Sequence, residues 1–207
     1  MAVLTGAQRA LRNVLLRVQA LAALGMTAFA ALTLLALGAR AVAAAPASDE
    51  PDKEYKLKAA FVLNFVRFTD WPTNVLTSTN QALVIGVLGR DPFGQNLDEI
   101  VAGKTVGHRS VHVKRVGNAA EALTCHAVFI SDSEKANLPS ILRELEGQPV
   151  LTVGDCEGFV QAGGIIELKR RQDMLRFSIN LSAAEDAKLK ISSKLLKLAE
   201  IYRDKRN

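Results

Sequence analysis

Four short apolar runs, separated by segments with helical spacing, constrain the fold of this 207-residue chain more than any other feature. The runs are residues 82–89, 111–116, 127–130 and 150–153. The first, ALVIGVLG, is apolar on both faces, as a strand covered on both sides must be. Because strands that alternate with helices are joined by right-handed crossovers, the pattern predicts a mostly parallel sheet.

Two further β-rich runs follow, residues 164–168 and 175–179, with the polar stretch 169–173 between them. So short a connection predicts an antiparallel hairpin. We therefore expect an α/β fold in a single three-layer domain, with a mostly parallel mixed sheet that includes a C-terminal antiparallel hairpin.

The helical segments show apolar stripes. After Asp49, Glu50 and Pro51, which are typical of a helix start, helical spacing relates Leu57, Phe61, Phe65 and Phe68. We interpret this aromatic stripe as core. Further helices are predicted over 91–101, 118–122 and 134–145, from residue 182, and from Ser192 or Ser193. The last of these would place Leu195, Leu198, Ala199 and Tyr202 on one face.

The first 43 residues have the pattern of a secretory signal peptide. They contain four arginines and no acidic residue, and the uncharged stretch 21–37 precedes small residues in an A-x-A arrangement. Cleavage after Ala43 is preferred to cleavage after Ala45, because Pro46 follows the second site. The alternative is an uncleaved membrane anchor, since 17 apolar residues nearly span a bilayer. We assign 1–43 to the signal peptide, 44–53 to a linker and 54–204 to the domain, and predict a periplasmic location.

Removal of the signal peptide changes the electrostatic prediction. The whole chain has 26 Lys and Arg against 21 Asp and Glu, and without the four leader arginines the balance is 22 against 21. A net charge near +1 gives no general attraction to a polyanion. The sequence therefore predicts no nucleic-acid partner.

Polar residues follow each of the four predicted parallel strands, in the loops 89–91, 115–118, 131–133 and 154–156. Ligands of such sheets bind beyond the carboxyl ends of the strands. These loops therefore predict a pocket for an anionic or zwitterionic small molecule, with the candidate ligand-binding residues Arg90, Arg115, Ser131 and Asp155.

Helix capping is the alternative explanation for most of these residues. Asn118 and Ser131 each have a Glu three residues on, the spacing of a capping box, and Asp91 precedes a Pro. Capping is favoured over ligand binding for every Asp, Asn and Ser in these loops. Arg90 and Arg115 are not explained by capping and are the better ligand candidates, although the role of an ordinary solvated arginine is favoured for each.

We expect no metal, no cofactor and no enzyme activity. The three histidines (His108, His112 and His126) are scattered, and none has a second ligand at metal-binding spacing. Neither a phosphate-binding loop nor a G-x-S-x-G motif occurs.

Cys125 and Cys156 are the redox candidates, and two cysteines in an exported protein suggest a disulfide. Cys125 precedes the third predicted strand, whereas Cys156 follows the fourth. If these strands are parallel, the residues lie at opposite edges, roughly 15 Å apart, and a disulfide needs Cα atoms within about 7 Å. The same geometry separates Cys156 from His126, its candidate base. We predict neither an intrachain disulfide nor nucleophilic catalysis.

Seven stretches, in chain order, carry a family resemblance: KAAFVLNFVRFTDWP, GRDPFG, CHAVFIS, VLTVGDCEGF, GGIIEL, RFSINLSAA and LKISSKLLKLA. Together they resemble the YfiR-like family of small exported proteins over residues 54–200. The resemblance implies a single α/β domain without catalytic apparatus. It further implies a periplasmic repressor that binds the periplasmic sensor region of an inner-membrane diguanylate cyclase, so that its withdrawal raises cyclic di-GMP and favours biofilm. Redox control in that family uses more cysteines than this chain has.

Three functional hypotheses follow. The first is a periplasmic regulator that holds a membrane cyclase inactive. The second is a small-molecule-binding module that uses Arg90 and Arg115 in the strand-end pocket, and the two are compatible if ligand binding tunes repression. A thiol enzyme is a distant third. An exposed Cys156 would allow a disulfide between protomers, so a homodimer is a further alternative.

Overall fold

The computed structural model describes residues 49–78, 81–172 and 174–203. The predicted signal peptide, 1–43, and the first half of the predicted linker lie outside these ranges. Residues 49–53, which the sequence assigned to the linker, form the start of the first helix. No helix within the described residues is both long enough and apolar enough to cross a membrane.

Ten strands, six α-helices and one 3₁₀ turn make up this described part. The strands are β1 Thr69–Asp70, β2 Leu83–Leu88, β3 Thr105–Val106, β4 Arg109–Val116, β5 Ala127–Ile130, β6 Leu151–Gly154, β7 Ile166–Arg171, β8 Met174–Asn180, β9 Lys190–Ile191 and β10 Glu200–Tyr202. The helices are α1 Asp49–Arg67, α2 Asn96–Val101, α3 Ala119–Ala122, α4 Leu138–Leu145, α5 Leu181–Asp186 and α6 Ser193–Leu196, and the 3₁₀ turn is Asp132–Glu134.

Eight of the strands form one mixed sheet in the order β10-β8-β7-β6-β5-β2-β4-β3. The pairings from β4 through β2, β5 and β6 to β7 are all parallel, and β7 and β8 form an antiparallel hairpin. This confirms the predicted mostly parallel mixed sheet with its C-terminal hairpin. Strand β10 adds to β8 in parallel, and β1 and β9 form a separate antiparallel pair.

The sheet buries apolar side chains on both faces, which confirms the three layers. On one face, Ile85 and Phe129 belong to a core that includes α1, α2 and the segment around α5 and α6. On the other face, Leu88 and Ile130 pack with α3 and α4. Successive residues of β2 and β5 alternate between these cores, because side chains of a strand point to opposite faces in turn.

Helix α1 buries a different stripe from the predicted one. Phe65 is fully buried, but Leu57 is 48% exposed and Phe68 is 37% exposed. The stripe that faces the sheet is made mainly of smaller residues: Ala59, Val62 and Val66. The aromatic spacing predicted the helix correctly but was wrong about its core face, since the aromatic residues extend to the margin of the buried stripe.

Three predicted helices are shorter than their sequence patterns indicate. Helix α2 starts at Asn96, because the side chain of Asp91 accepts a hydrogen bond from the Phe93 N–H, at 2.8 Å, in a turn. The segment 134–145 is helical only from Leu138, where Pro139 occupies the first turn. The final helix stops at Leu196 and the chain returns as β10, which no sequence periodicity could show over three residues.

Candidate functional site

The four sequence-predicted loops lie at one edge of the sheet. Strands β4, β2, β5 and β6 end side by side, with Leu88 level with both Val116 and Ile130, and Ile130 level with Gly154. The polar loops that follow these strand ends are therefore on the same side of the molecule, as the parallel arrangement predicted. Each of the four candidate residues nevertheless has its own set of partners.

Arg90 and Ser131 are joined through Ser133. The Arg90 backbone N–H donates to the Ser133 hydroxyl at 2.9 Å, while the guanidinium is exposed. The Ser131 hydroxyl accepts from the Ser133 backbone N–H at 3.4 Å and caps the 3₁₀ turn. This geometry supports the capping interpretation for Ser131. Ligand binding by Arg90 stays a prediction.

Arg115 forms ion pairs with two acidic neighbours. Its guanidinium donates to both carboxylate oxygens of Asp98 at 2.8 and 2.5 Å, to Asp91 at 2.8 Å and to the Gly94 carbonyl at 2.9 Å. The hydrogen bond to Asp98 is the main reason that the pKa of Arg115 lies above its ordinary value. A guanidinium that already holds two carboxylates has little left for an anionic ligand, so Arg115 links the loop after β2 to helix α2.

Asp155 reaches into helix α1 and forms, with Glu54, Tyr55 and Lys58, what we call the buried polar cluster. The Lys58 ammonium donates to Asp155 Oδ2 at 2.6 Å and lies 2.8 Å from Glu54 Oε1. The Tyr55 hydroxyl donates to the same Asp155 oxygen at 3.0 Å, and the Lys58 Nζ lies 4.3 Å from the Tyr55 ring centroid. The Lys58 and Asp155 side chains are only 7% and 6% exposed.

Lys58 and Glu54 keep their charges at neutral pH. Burial acts to lower the pKa of Lys58, but hydrogen bonds to Asp155 and Glu54 outweigh it, so that the pKa lies above the ordinary 10.5. Burial, followed by the charge of Asp155, raises the pKa of Tyr55 above 10.0. The hydrogen bond from Lys58 is the main cause of a lowered pKa for Glu54. Lys58 is therefore a cation and Tyr55 a neutral donor.

One carboxylate oxygen of Asp155 takes no part in the hydrogen bonds of the cluster. Asp155 Oδ1 is buried and has no hydrogen-bond partner among the described residues. Its other oxygen takes both donors, so Asp155 mainly fastens α1 to the end of β6.

Sequence reasoning named Asp155 but missed its partners. Lys58 lies on the buried side of α1, next to Ala59, and a lysine at such a position signals a buried ion pair. The sequence could not identify the partner, which lies 97 residues away in the chain.

A cavity of about 400 Å³ lies away from the predicted strand-end pocket. It is found at the start of β6 and β7, between α4 and α5, and its lining includes Leu142, Val150, Ile165, Asn180 and Ala187. The buried Asn180 side chain is already engaged, since it donates to the Val160 carbonyl at 2.9 Å and accepts from the Ala183 N–H at 3.0 Å. Within the described ranges, no group of three His, Cys, Asp or Glu residues is placed to hold a metal ion.

Comparison with known families accounts for this chain over most of its length. A family model described as YfiR/HmsC-like matches residues 55–200, from Tyr55 in α1 to Glu200 in β10. The chain belongs to the YfiR/HmsC-like family. This family is one of regulatory, non-catalytic proteins of the periplasm that act in cyclic di-GMP signalling. The resemblance predicted from the seven motifs is thereby confirmed.

Other comparisons are more distant. A Streptococcus pneumoniae ABC domain, solved in complex with L-Trp, superposes with a TM-score of 0.49 at 12% identity over 70% of this chain. A conserved domain protein from Vibrio cholerae does so with the same TM-score at 11% identity, also over 70% of this chain. The chain spans 60% of the length of each of these two structures. No curated protein matches at a significant level.

The two cysteines of this YfiR/HmsC-like chain are buried in the core against α3 and α4 and are free thiols. They flank the parallel strands β5 and β6 at opposite ends, as predicted. Burial is the first cause of the raised pKa of both thiols. Cys156 is not the exposed thiol that a disulfide between protomers needs, because packing against the core leaves it 2% exposed. A disulfide between protomers through Cys156 would require that core to open.

His126, the base considered for Cys156, is engaged elsewhere. Its Nδ1 accepts a hydrogen bond from the Val84 N–H at 3.0 Å, and its backbone carbonyl accepts from the Trp71 indole at 3.1 Å. Burial lowers the pKa of the imidazole, which favours its neutral form. His126 thus fixes the start of β5, at the edge of the sheet opposite Cys156.

The glycines around Cys156 have a packing role. The ring of Phe159 is fully buried between Gly154 and Gly164, where an added Cβ would lie 2.4 and 2.1 Å from its carbon atoms. Residues 157–163 form hydrogen-bonded turns, in which the Ala162 N–H donates to the Gly158 carbonyl at 3.0 Å. The glycines of the segment VGDCEGFVQAGG therefore leave room for one aromatic ring between the end of β6 and the start of β7.

Proposed function

We propose that this protein is exported to the periplasm and represses an inner-membrane diguanylate cyclase by binding the periplasmic sensor region of that cyclase. The observation that carries the proposal is the family match over residues 55–200, which spans nearly all of the described structure. The predicted signal peptide supports the compartment, since its basic start, apolar middle and A-x-A end are those of exported proteins.

The chemistry of the strand-end edge supports a regulator rather than an enzyme. The reactive groups found there are engaged in holding the fold: Asp155 binds Lys58 and Tyr55, and Arg115 binds two aspartates. Both thiols are buried with raised pKa values, which disfavours the thiolate that a nucleophile needs. The function is then exerted through the surface of the domain.

Measurement of cyclic di-GMP tests the proposal. Deletion of the gene in its native host should raise cyclic di-GMP, and expression of the full chain should restore the original level. A version that lacks residues 1–43 is the matched control, because it should stay in the cytoplasm and fail to restore repression. An unchanged cyclic di-GMP level in the deletion strain would overturn the proposal.

We also infer a second candidate function, a small-molecule-binding module at the strand-end edge. The observation that favours it is Asp155 Oδ1, a buried acceptor without a hydrogen-bond partner among the described residues. Thermal shifts measured with a panel of amino acids and small anions test it. A ligand that raises the melting temperature of the wild type but not of Asp155→Asn or Arg90→Ala would support this function, and a flat response from the whole panel would refute it.

A further inference from the structure

Exposed apolar side chains are concentrated at one end of the sheet. Of the six large hydrophobic residues that are exposed in the described ranges, three lie on α1, β8 and β10 and one lies in the connection between α6 and β10: Leu57, Met174, Ile201 and Leu198. Leu198 is 72% exposed and Ile201 is 44% exposed. Helix α1 lies over this end, because the Phe61 ring contacts that of Phe177 on β8 with centroids 5.9 Å apart. We call this region the β10 end.

The β10 end also carries a free strand edge. In the part of the chain that the structure describes, β10 is the last strand of the sheet and only its inner side is paired, with β8. An unpaired edge offers a row of backbone N–H and C=O groups to another strand, and proteins usually blunt such edges. Strand β10 is short and carries the charged Glu200, but Ile201 is apolar and exposed, and the outer backbone groups of β10 are unpaired among the described residues, so a partner strand can add here.

Charge is segregated toward the same end. Residues 169–203 contain nine Lys or Arg and four Asp or Glu, whereas residues 44–168 contain eleven Lys or Arg and sixteen Asp or Glu. A chain whose total charge is small therefore has a strongly basic C-terminal quarter. Such a local field steers and orients an acidic partner even when the net charge of the whole protein does not.

The two faces of the sheet differ in character at this end. Lys169 lies directly opposite Arg176 across the hairpin, and Arg171 lies opposite Met174, so the three cations share the face that points away from α1. Lys169 is neutralised by Glu200, at 2.5 Å, but neither Arg171 nor Arg176 forms an ion pair with a described residue. On the α1 side, Ile201 lies beside Ile179, and the apolar side chain of Leu57 projects from the helix above.

A strand added next to β10 would send alternate side chains to these two faces, because the side-chain period of a strand is two. Apolar side chains on the α1 side would lie next to Ile201. Acidic side chains would lie on the opposite face, which carries Arg171 and Arg176 and where Glu200 of β10 is already paired with Lys169. We propose that the β10 end docks an extended segment of a partner protein in which apolar and acidic residues alternate. This inference rests on the proposed function for the identity of the partner, the sensor region of the cyclase, but the surface itself is assigned from this chain alone.

Two other occupants fit the surface less well. A second copy of this chain paired through β10 in a two-fold dimer would place two basic ends against each other. An anionic membrane would be attracted by the arginines but would leave the backbone groups of β10 unpaired. A foreign acidic strand satisfies the charges, the apolar side chains and the edge together.

Site-specific photocrosslinking in the native periplasm tests the inference. A benzoylphenylalanine is placed at position 201 of the full chain, and a matched probe is placed at Leu123, which is 42% exposed at the end of α3, a helix that packs on β2 and β4. We expect a crosslinked protein from position 201 and none from position 123. The double variant Arg171→Glu with Arg176→Glu should reduce the product at least about tenfold. Lys104→Glu, at an exposed lysine beside β3 at the other end of the sheet, should leave it unchanged.

Mass spectrometry of the product separates the outcomes. A crosslink to the periplasmic region of a diguanylate cyclase upholds both the surface and the proposed function. A crosslink to an acidic segment of another protein upholds the surface and overturns the proposed function. The inference is overturned if the product is a second copy of this chain or a lipid, if no product forms at position 201, or if charge reversal has no effect. The variants Arg171→Gln and Arg176→Gln, together with thermal melts of every variant, control for misfolding caused by the Glu substitutions.

Discussion

Replacement of Lys58 by Met should destabilise the domain by about 3 kcal/mol, at the low end of the range for breaking a buried ion pair. The substitution keeps most of the apolar stem and removes the ammonium that lies 2.6 Å from Asp155 Oδ2. The Asp155 carboxylate would remain buried, with one oxygen already lacking a partner. The loss stays at the low end because the Tyr55 hydroxyl, at 3.0 Å, still donates to it.

The geometry of the buried polar cluster also predicts an order of effects. Tyr55→Phe removes one hydrogen bond to a charged acceptor, which should cost about 1.5 kcal/mol. Glu54→Gln affects a residue that is 28% exposed and should cost less than about 1 kcal/mol. Lys56→Met is the matched control, since Lys56 lies two residues from Lys58 on the exposed side of α1.

Urea denaturation followed by the fluorescence of Trp71, the only tryptophan of the chain, measures these free energies of unfolding. The double variant Lys58→Met with Asp155→Asn should be more stable than Lys58→Met alone, because it removes the uncompensated charge. If Lys58→Met proves no more costly than Lys56→Met, or if the Lys58 and Asp155 effects add within about 0.5 kcal/mol, the account of the cluster is wrong.

The same cluster sets a pH dependence. The pKa values of Lys58 and Tyr55 are both raised in the folded state, from 10.5 and 10.0. The folded state then binds more protons than the unfolded state at alkaline pH, so this contribution is complete below the unfolded pKa values and is lost as pH rises above them. The free energy of unfolding should therefore fall from about pH 10 upward, and the decline should be shallower in Lys58→Met.

Three further predictions concern packing, thiols and surface charge. Gly164→Ala should destabilise the fold by at least about 3 kcal/mol, because its Cβ would lie 2.1 Å from the Phe159 ring. Adding Phe159→Leu should recover part of this loss in the same urea assay. If Gly164→Ala leaves the free energy of unfolding unchanged, the packing of that ring against Gly164 is wrong. Cys125 and Cys156 should react with a thiol reagent at neutral pH only after urea is added, since both are buried, and rapid native labelling would refute this. Arg115→Lys should change stability by less than about 1 kcal/mol, because the guanidinium is 41% exposed; a larger loss on urea denaturation would show that the bidentate geometry matters more.

The layout of the sheet was predictable because its signals are local. The apolar run of β2 is buried on both faces, and the polar turn between β7 and β8 requires a hairpin. The short strand β10 was missed because three residues carry no detectable period. The exposure of Leu57 was also missed, because a helical stripe tells which residues share a face and leaves open how far the neighbouring layer extends.

The candidate site was predictable only in part, since its geometry is set by contacts distant in sequence. The strand-end loops were correctly placed at one edge. Ser131 does cap the turn that follows it, but through the Ser133 N–H and without the capping box with Glu134 that its spacing predicted. The attachment of Asp155 to α1 depends on Lys58, 97 residues away. A buried lysine signals that a partner exists, but only the folded chain shows which acidic residue fills the role.

The buried polar cluster and the β10 end meet on helix α1. Lys58, which is fixed by Asp155, is adjacent to Leu57, whose side chain is exposed, and Glu54 lies 3.3 Å from Arg170 of the β7–β8 hairpin. The buried ion pair therefore helps to determine where the exposed Leu57 of α1 lies relative to the hairpin and β10. Asp155, which the sequence offered as a ligand-binding residue, therefore acts with Lys58 to hold the helix that carries Leu57, one residue of the proposed docking surface.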